Sequence, residues 1–471
     1  MPRTPPPRKG LWTAQFWVLI GLLLYTGVVF AAAPLIDGHL DGGTLLAAQA
    51  VLAIIPAAAW LVFFYLHDRN EPEPKLYVIA VFLLGAVLAR LVAIPLVRNV
   101  FAVDQWLYRS EWGLILGSIL VVGVVQEFLE YAAVRYTVYG SREFSEPMDG
   151  IIYATAAGLG FATMLNVDYV LSNHGVDLRV GIVRIVITAL AHASFAGVIG
   201  YFMGQAKFRK GSDTWMLVGG VALASVFNGL FFYAQSEVST QGLDYNPWRG
   251  LVLAAAVAAG VFYLLFMLMQ RAEGQHFQYE ESDRYYLLED VPVLATAVVL
   301  ILCGGAVRGH LLHQTVHFAS AADGVSVELP AGWVTSQGVD TVVQASNPQS
   351  GSAFRTRFAV LRRSVSSQEA ARGLAGIATG ESIRRAHALP FYRHLSTQNL
   401  EVAGRPAVRI DYAYVADPHD ALLLSEPLPV VVRGSDTFLL RGSDLYTLRF
   451  LADNAVLGRS EASLHRTLAS V

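Results

Sequence analysis

For roughly its first two thirds the chain alternates long apolar runs with short polar breaks, and then the period of the pattern changes. Nine apolar runs reach the roughly 17–25 residues that a helix needs to cross a bilayer. They lie near 11–33, 45–66, 76–97, 113–136, 151–171, 181–203, 216–232, 251–269 and 291–307. The first is longer than the roughly 7–15-residue apolar core of a secretory signal and has no clear small-residue cleavage site after it, so it reads as a retained helix. From about Gly309 the apolar period falls to two. GVSVELPAGW, FRTRFAVLRR, PAVRIDYAYV, LPVVVRG, DTFLLRG and DLYTLRFLA read as strands bounded by Gly, Pro, Asp and Asn. Two helices are expected there, SSQEAARGLAGIA and the terminal RSEASLHRTLAS, each with a polar N-cap candidate.

The pattern predicts an α-helical polytopic membrane protein of about nine transmembrane helices with a C-terminal soluble α/β sandwich domain. It divides into a cytoplasmic tail over 1–10, a membrane domain over 11–308 and an extracytoplasmic domain over 309–471. A domain of about 160 residues can bury its own core. Composition agrees, since 54% of residues are hydrophobic and 15% charged, against about 25% charged in soluble domains. A net charge of −3 points to no nucleic acid, and the single Cys303 excludes a disulfide framework or a cysteine metal site within one chain.

Lys and Arg in short loops set the orientation. With Arg3, Arg8 and Lys9 inside, so are Arg69 and Lys75, Arg142, Lys207 with Arg209 and Lys210, and Arg271 with Arg284. The opposite loops carry fewer, Arg98 and Arg109, Arg179 and Arg249. The plasma (inner) membrane is the expected location, with the N-terminus cytoplasmic and everything after Arg308 across the bilayer.

Polar groups at membrane depth mark sites or buried pairs. Gln126, Glu127 and Glu130 interrupt one apolar helix, Asn166 and Asp168 a second, and His192 a third. Glu127 and Glu130, three apart, share a helix face. The set reads as a shared centre, and a structural reading stands beside it: Glu127 or Glu130 paired with Arg90, Asp168 with Arg184, His192 a neutral core hydrogen-bonder. GxxxG spacings at Gly113/Gly117 and Gly200/Gly204 suit close helix packing. The polar stretch EGQHFQYEESDRYYLLEDVP reads as a cytoplasmic linker with a solvated acidic face, and Tyr245 and Trp248 as interfacial aromatics.

HDRNEPEPKLYVIAVFLLGAV, QEFLE, EFSEPMDGIIYATAAGLGFATMLNVDYV, LAHASFAGVIGY and FNG, in this order from about 68 to 233, resemble the PrsW family of intramembrane proteases, related to the CAAX-prenyl endopeptidases. The resemblance implies a peptidase acting on single-span membrane proteins, in contact with membrane lipid. Residue by residue it carries over Glu127, Asn166, His192 and Asn228; taken with the other polar groups of the same helices, Glu127, Glu130 and His192 are the candidate catalytic residues and Gln126, Asn166, Asp168 and Asn228 line the cavity. Departures from the family pattern are Gln126 for the first of two adjacent glutamates, Glu130 for a Lys, Leu165 for the glutamate of FxxxEN, and Ala224 for the histidine of His-x-x-x-Asn. They favour a catalytically degenerate member that binds a membrane client, over an active peptidase rebuilt around Glu127, Glu130 and His192. A proton- or ion-linked transporter is a third reading, against which no repeated half with broken helices appears. The cofactor stays open between none and a divalent metal such as zinc.

Through Pro330, Gly332 and Trp333 the C-terminal domain resembles PsbP/Mog1-like sandwiches, and it reads as a binding or sensing module.

Overall fold

The computed structural model describes residues 11–37, 42–66, 73–172, 178–208, 214–240, 247–273, 286–320, 323–338, 341–347, 354–402, 404–416, 430–454 and Leu457. The N-terminal tail, the terminal helix expected over 459–470, most of the 273–292 linker and Tyr245 lie outside them. Among the described residues, nine helices are long and apolar enough to cross a membrane.

The first is α1 (Leu11–Asp37). The second is broken into α2 (Gly42–Leu52) and α3 (Ile55–Tyr65), where Pro56 opens α3 at a position that needs no N–H. The third, α4 (Lys75–Leu88), runs on through π-turns at Ala89–Ala93 and Leu96–Val100. The fourth consists of α5 (Glu111–Gly117), a π-turn at Ser118–Gly123 and α6 (Val124–Arg135). Then follow α7 (Pro147–Ser172), α8 (Leu178–Phe208), α9 (Thr214–Thr240), α10 (Pro247–Ala272) and α11 (Tyr286–His313).

Burial ranks these spans. The apolar windows of α7 and α8 are 83% and 72% buried, against 17% for the first span and 22% for the last, so α7 and α8 form the centre of the bundle. Their backbones touch where a Cβ on Gly200 would lie 2.1 Å from Gly150 O, a close approach that only small residues permit. The α6–α7 connection is pinned from both sides. Asp149 Oδ2 accepts the amides of Ser145 (2.6 Å) and Glu146 (2.7 Å), and Lys207 Nζ donates to the carbonyls of Tyr139 (2.6 Å) and Phe144 (2.7 Å).

Residues 104–113 and 308–471 make a second compact unit, so a short segment between the third and fourth spans groups with the C-terminal region. A hairpin of β1 (Thr315–Ser320) and β2 (Val325–Pro330) precedes a seven-stranded antiparallel sheet. That sheet holds β3 (Val334–Gly338), β4 (Thr341–Ser346), β5 (Arg357–Ser364), β6 (Arg393–Val402), β7 (Arg405–Ala416), β8 (Val430–Arg441) and β9 (Asp444–Asp453) in the order β3-β4-β5-β9-β8-β7-β6. The helices α12 (Ser367–Ala370) and α13 (Gly373–Ala388) lie between β5 and β6. Ile377 and Ala378 of α13 pack on Val408, Ile410 and Phe438 of one sheet face. Val327 and Leu329 of the hairpin pack on Phe358, Leu448 and Phe450 of the other.

The runs LPVVVRG and DTFLLRG are a single strand, β8. Gly434 does not end it because Tyr412, its cross-strand partner, lays its ring where a side chain would be, 2.3 Å from the Cβ site.

Candidate active site

Glu127 and Glu130 lie one turn apart on α6, 0% and 1% exposed. His192 on α8 brings Nδ1 to 2.9 Å from Glu130 Oε1. Asn228 on α9 uses both hydrogens of its amide, donating to Glu127 Oε1 at 2.7 Å and to Gln126 Oε1 at 3.0 Å. The ligand-capable atoms of Glu127, Glu130 and His192 lie within 4.8 Å of one another. The second oxygens of both glutamates, the Oε2 atoms, are buried with no hydrogen-bond partner.

Local packing explains this convergence. A Cβ on Gly123 would meet Ser225 O at 2.2 Å, so the base of α6 lies directly on the α9 backbone and Asn228 reaches Glu127. The π-turn over 118–123 sits immediately before α6. Such turns shift the facing of everything that follows and recur at functional sites. Phe161 of α7 stacks on the His192 ring at a centroid distance of 5.9 Å, and Phe195 flanks it at 6.1 Å.

Gln126, Glu127, Glu130, His192 and Asn228 therefore meet, whereas Asn166 and Asp168 make their polar contacts elsewhere. Asn166 Nδ2 donates to Ile185 O at 3.1 Å. Asp168 forms an ion pair with Arg98 at 2.7 Å, close to the end of α7 where Ser172 joins the same guanidinium. The alternative pairings are also absent: Arg90 is exposed, and Arg184 lies over the Tyr169 ring at 3.8 Å. Of the substituted positions, Ala224 is buried and Leu165 half-buried.

Asp290, in the stretch whose sequence reads as a solvated acidic face, belongs instead to the bundle. It is buried and ion-paired to Arg135 at 2.6 Å, with Tyr131 OH donating to it at 2.8 Å. The available signal was its place at the first turn of an apolar run.

Two buried carboxylates and an imidazole converge without a Lys or Arg ion-paired to either glutamate among the described residues. Two uncompensated anions this close are costly in a medium of low dielectric. Oxygen and nitrogen donors in this combination suit a divalent cation, as in catalytic zinc sites with three protein ligands. The two orphaned Oε2 atoms give such an ion unused ligand positions, so the residues fit a metal.

Fold and site together define a polytopic membrane protein with a carboxylate–imidazole centre buried between its helices. The family model described as PrsW family intramembrane metalloprotease matches residues 73–269, on through the eighth span. Proteins named Protease PrsW are similar over 35–43% of the chain. The Geobacillus kaustophilus protein is 31% identical over 178 residues, 38% of this chain and 75% of that one. The Clostridioides difficile protein is 33% identical over 184 residues, 38% and 76%, and the Bacillus subtilis protein 29% identical over 188 residues, 40% and 82%. The chain belongs to the PrsW family of intramembrane metalloproteases. Among solved structures, a Pseudomonas aeruginosa protein of unknown function described as a putative regulator covers 34% of this chain and 96% of its own, at 18% identity and a TM-score of 0.23. Cyanobacterial PsbP from Synechocystis covers 33% and 90%, at 12% identity and a TM-score of 0.25.

Proposed function

We propose that this chain is an active, metal-dependent intramembrane peptidase whose centre is Glu127, Glu130 and His192, acting on single-span membrane proteins. The observation that carries the reading is the meeting of these three donors within 4.8 Å with two buried carboxylate oxygens left unpartnered. Glu127, Glu130 and His192 would hold the ion, which when bound supplies Lewis-acid polarisation and lowers the pKa of water.

The chain's own residues account for the rest of the chemistry. Asn228 fixes Glu127 through Oε1. The Oε2 atom, of Glu127 or of Glu130, that the ion leaves free would take a proton from water attacking a peptide carbonyl and return it to the leaving amine. Gln126 gives its carbonyl oxygen to Asn228, and its own N–H groups remain donors for developing negative charge on the substrate oxygen. Phe161 and Phe195 wall His192 and keep bulk water from competing. Metal binding needs deprotonated carboxylates and a neutral imidazole, so protons and the cation compete for this centre.

A second reading, a degenerate member that binds a client, draws on Gln126, Leu165 and Ala224. One experiment separates the two. Purified protein is incubated with single-span substrates, with and without a chelator, and products are read by mass spectrometry. Cleavage that stops with chelator, returns with divalent metal and is absent in Glu130→Ala and His192→Ala supports the active reading. No cleavage by the unmodified chain, with cleavage appearing in the Gln126→Glu, Leu165→Glu, Ala224→His triple variant, sinks it in favour of the degenerate one.

A further inference from the structure

Helix α11 lies outside the 73–269 stretch that matches the family, yet it is fastened at two levels to the span that bears Glu127 and Glu130, and at its end to the segment just before that span. At its start, Asp290 Oδ1 accepts from Arg135 Nε at 2.6 Å and from Tyr131 OH at 2.8 Å. Tyr131 follows Glu130 directly, and Arg135 lies about one turn further along the same helix. At mid-height a Cβ on Gly304 would lie 2.5 Å from Val121 Cγ2 and 3.3 Å from Leu120 Cβ. Both partners belong to the π-turn that precedes α6. At its end, Arg109 Nη1 donates to the carbonyls of Leu311 (3.1 Å) and Leu312 (3.0 Å), just ahead of α5. One residue, Gln314, separates α11 from β1.

We infer that α11 is a positioning element of the Glu127–Glu130–His192 centre, acting through Asp290 and Gly304. The physical ground is the π-turn. Its wide hydrogen-bonding ring is an alternative to the α-helical one, and moving between the two rotates every later residue of the helix. Val121 sits inside that turn, so a side chain pressing on it from Gly304 bears on the facing of Glu127 and Glu130. Asp290 pins the other end of α6 through two hydrogen bonds, one charge-assisted.

The inference rests on the reading of the centre as a metal site, and the test keeps the two apart. Adjacent glycines supply the control: a Cβ at Gly304 collides with Val121, whereas one at Gly305 meets nothing within 4 Å. Full-length protein and the variants Asp290→Asn, Gly304→Leu and Gly305→Leu are titrated with Zn(II) against a chromophoric chelator. Amide hydrogen exchange over residues 124–135 is measured on the same samples. Gly304→Ala, which adds the Cβ alone, keeps the comparison readable should the leucine variant fail to fold. Asp290→Asn and the Gly304 variants weaken Zn(II) binding by about two- to thirtyfold, the span of measured couplings through packed networks, and speed exchange in α6. Gly305→Leu behaves as the unmodified chain. Exchange in α6 that is the same in all folded variants overturns the positioning role, whatever happens to metal affinity. An unmodified chain that binds no Zn(II) yet shows the α6 response removes the metal reading and leaves the positioning role standing.

Discussion

Asn228→Ala is the sharpest probe of how the centre is held. The Asn228 amide donates to a carboxylate oxygen at 2.7 Å and to an amide oxygen at 3.0 Å. The first bond belongs to the class worth about 1.5–3 kcal/mol and the second to the class worth about 0.5–1.5 kcal/mol. Truncation leaves Glu127 with neither oxygen bonded by protein, since Oε2 already lacks a partner, and the side chain becomes free to turn away from Glu130 and His192. Loss of a group that orients a metal ligand costs about 10- to 100-fold in affinity, equivalent to about 1.4–2.8 kcal/mol. Asn228→Asp replaces both donors by acceptors beside two carboxylates and is expected to bind more weakly than the alanine variant. The assay is Zn(II) competition in detergent micelles, with thermal unfolding as a check on folding. An alanine variant that folds and binds Zn(II) as the unmodified chain does would refute the claim that Asn228 positions Glu127.

Three further outcomes follow from other regions of the molecule. A Cβ on Gly160 would lie 1.8 Å from Phe82 O on α4, so Gly160→Ala must push the α4 and α7 backbones apart and is expected to destabilise by about 1–3 kcal/mol; equal unfolding temperatures for it and Gly260→Ala, a site with nothing within 4 Å, would count against this packing. From the Lys/Arg bias of the loops, protease added to spheroplasts is expected to remove residues after about 310 and spare an N-terminal tag, and protection of both ends would defeat that orientation. In the C-terminal domain, the Ser320 hydroxyl and the Arg362 guanidinium hold the Asp323 carboxyl below its ordinary value. A depressed folded pKa stabilises above the unfolded value and ceases to do so as pH falls through the folded one, so the β1–β2 hairpin is expected to lose exchange protection below about pH 4, weakly and less in high salt because the pair is exposed. Protection factors unchanged down to pH 3 would discard this link.

The spans were legible because lipid allows few solutions: a backbone in hydrocarbon must satisfy itself, so length and apolarity alone reveal the crossing helices. Which polar residues meet was only partly legible. Glu127 and Glu130 at helical spacing share a face on any helix, and that much is local. Asn166 and Asp168 looked equivalent to them in sequence, but Arg98, 70 residues from Asp168, decides the partner, and only tertiary packing brings it there. Asp290 failed for the same reason, since its partners Tyr131 and Arg135 lie more than 150 residues away. Of the strands that escaped, β1, β3, β4 and β6, β6 is a sheet edge exposed along most of its length, with the sequence RHLSTQNLEV. An edge strand with little apolar burial leaves no period of two to find.

The departures from the family pattern weigh differently once positions are compared in space. Read along the chain, Gln126, Leu165 and Ala224 are three losses and Glu130 is a single change of uncertain worth. In the fold, Glu130 is the residue that meets His192, at 2.9 Å, and a lysine there would offer neither an acceptor for the imidazole nor an oxygen for a cation. Gln126 is bonded to Asn228, and a carboxylate in its place would accept the same hydrogen. An amide at 126 accepts that hydrogen without adding a third carboxyl group to a buried site that already holds two. Gln126 and Glu130 are thus coupled: the carboxylate missing at one position is present one turn away at the other, on the same face of α6. Reverting either alone is therefore expected to harm metal binding more than reverting both, a non-additivity that contacting groups show and independent ones do not.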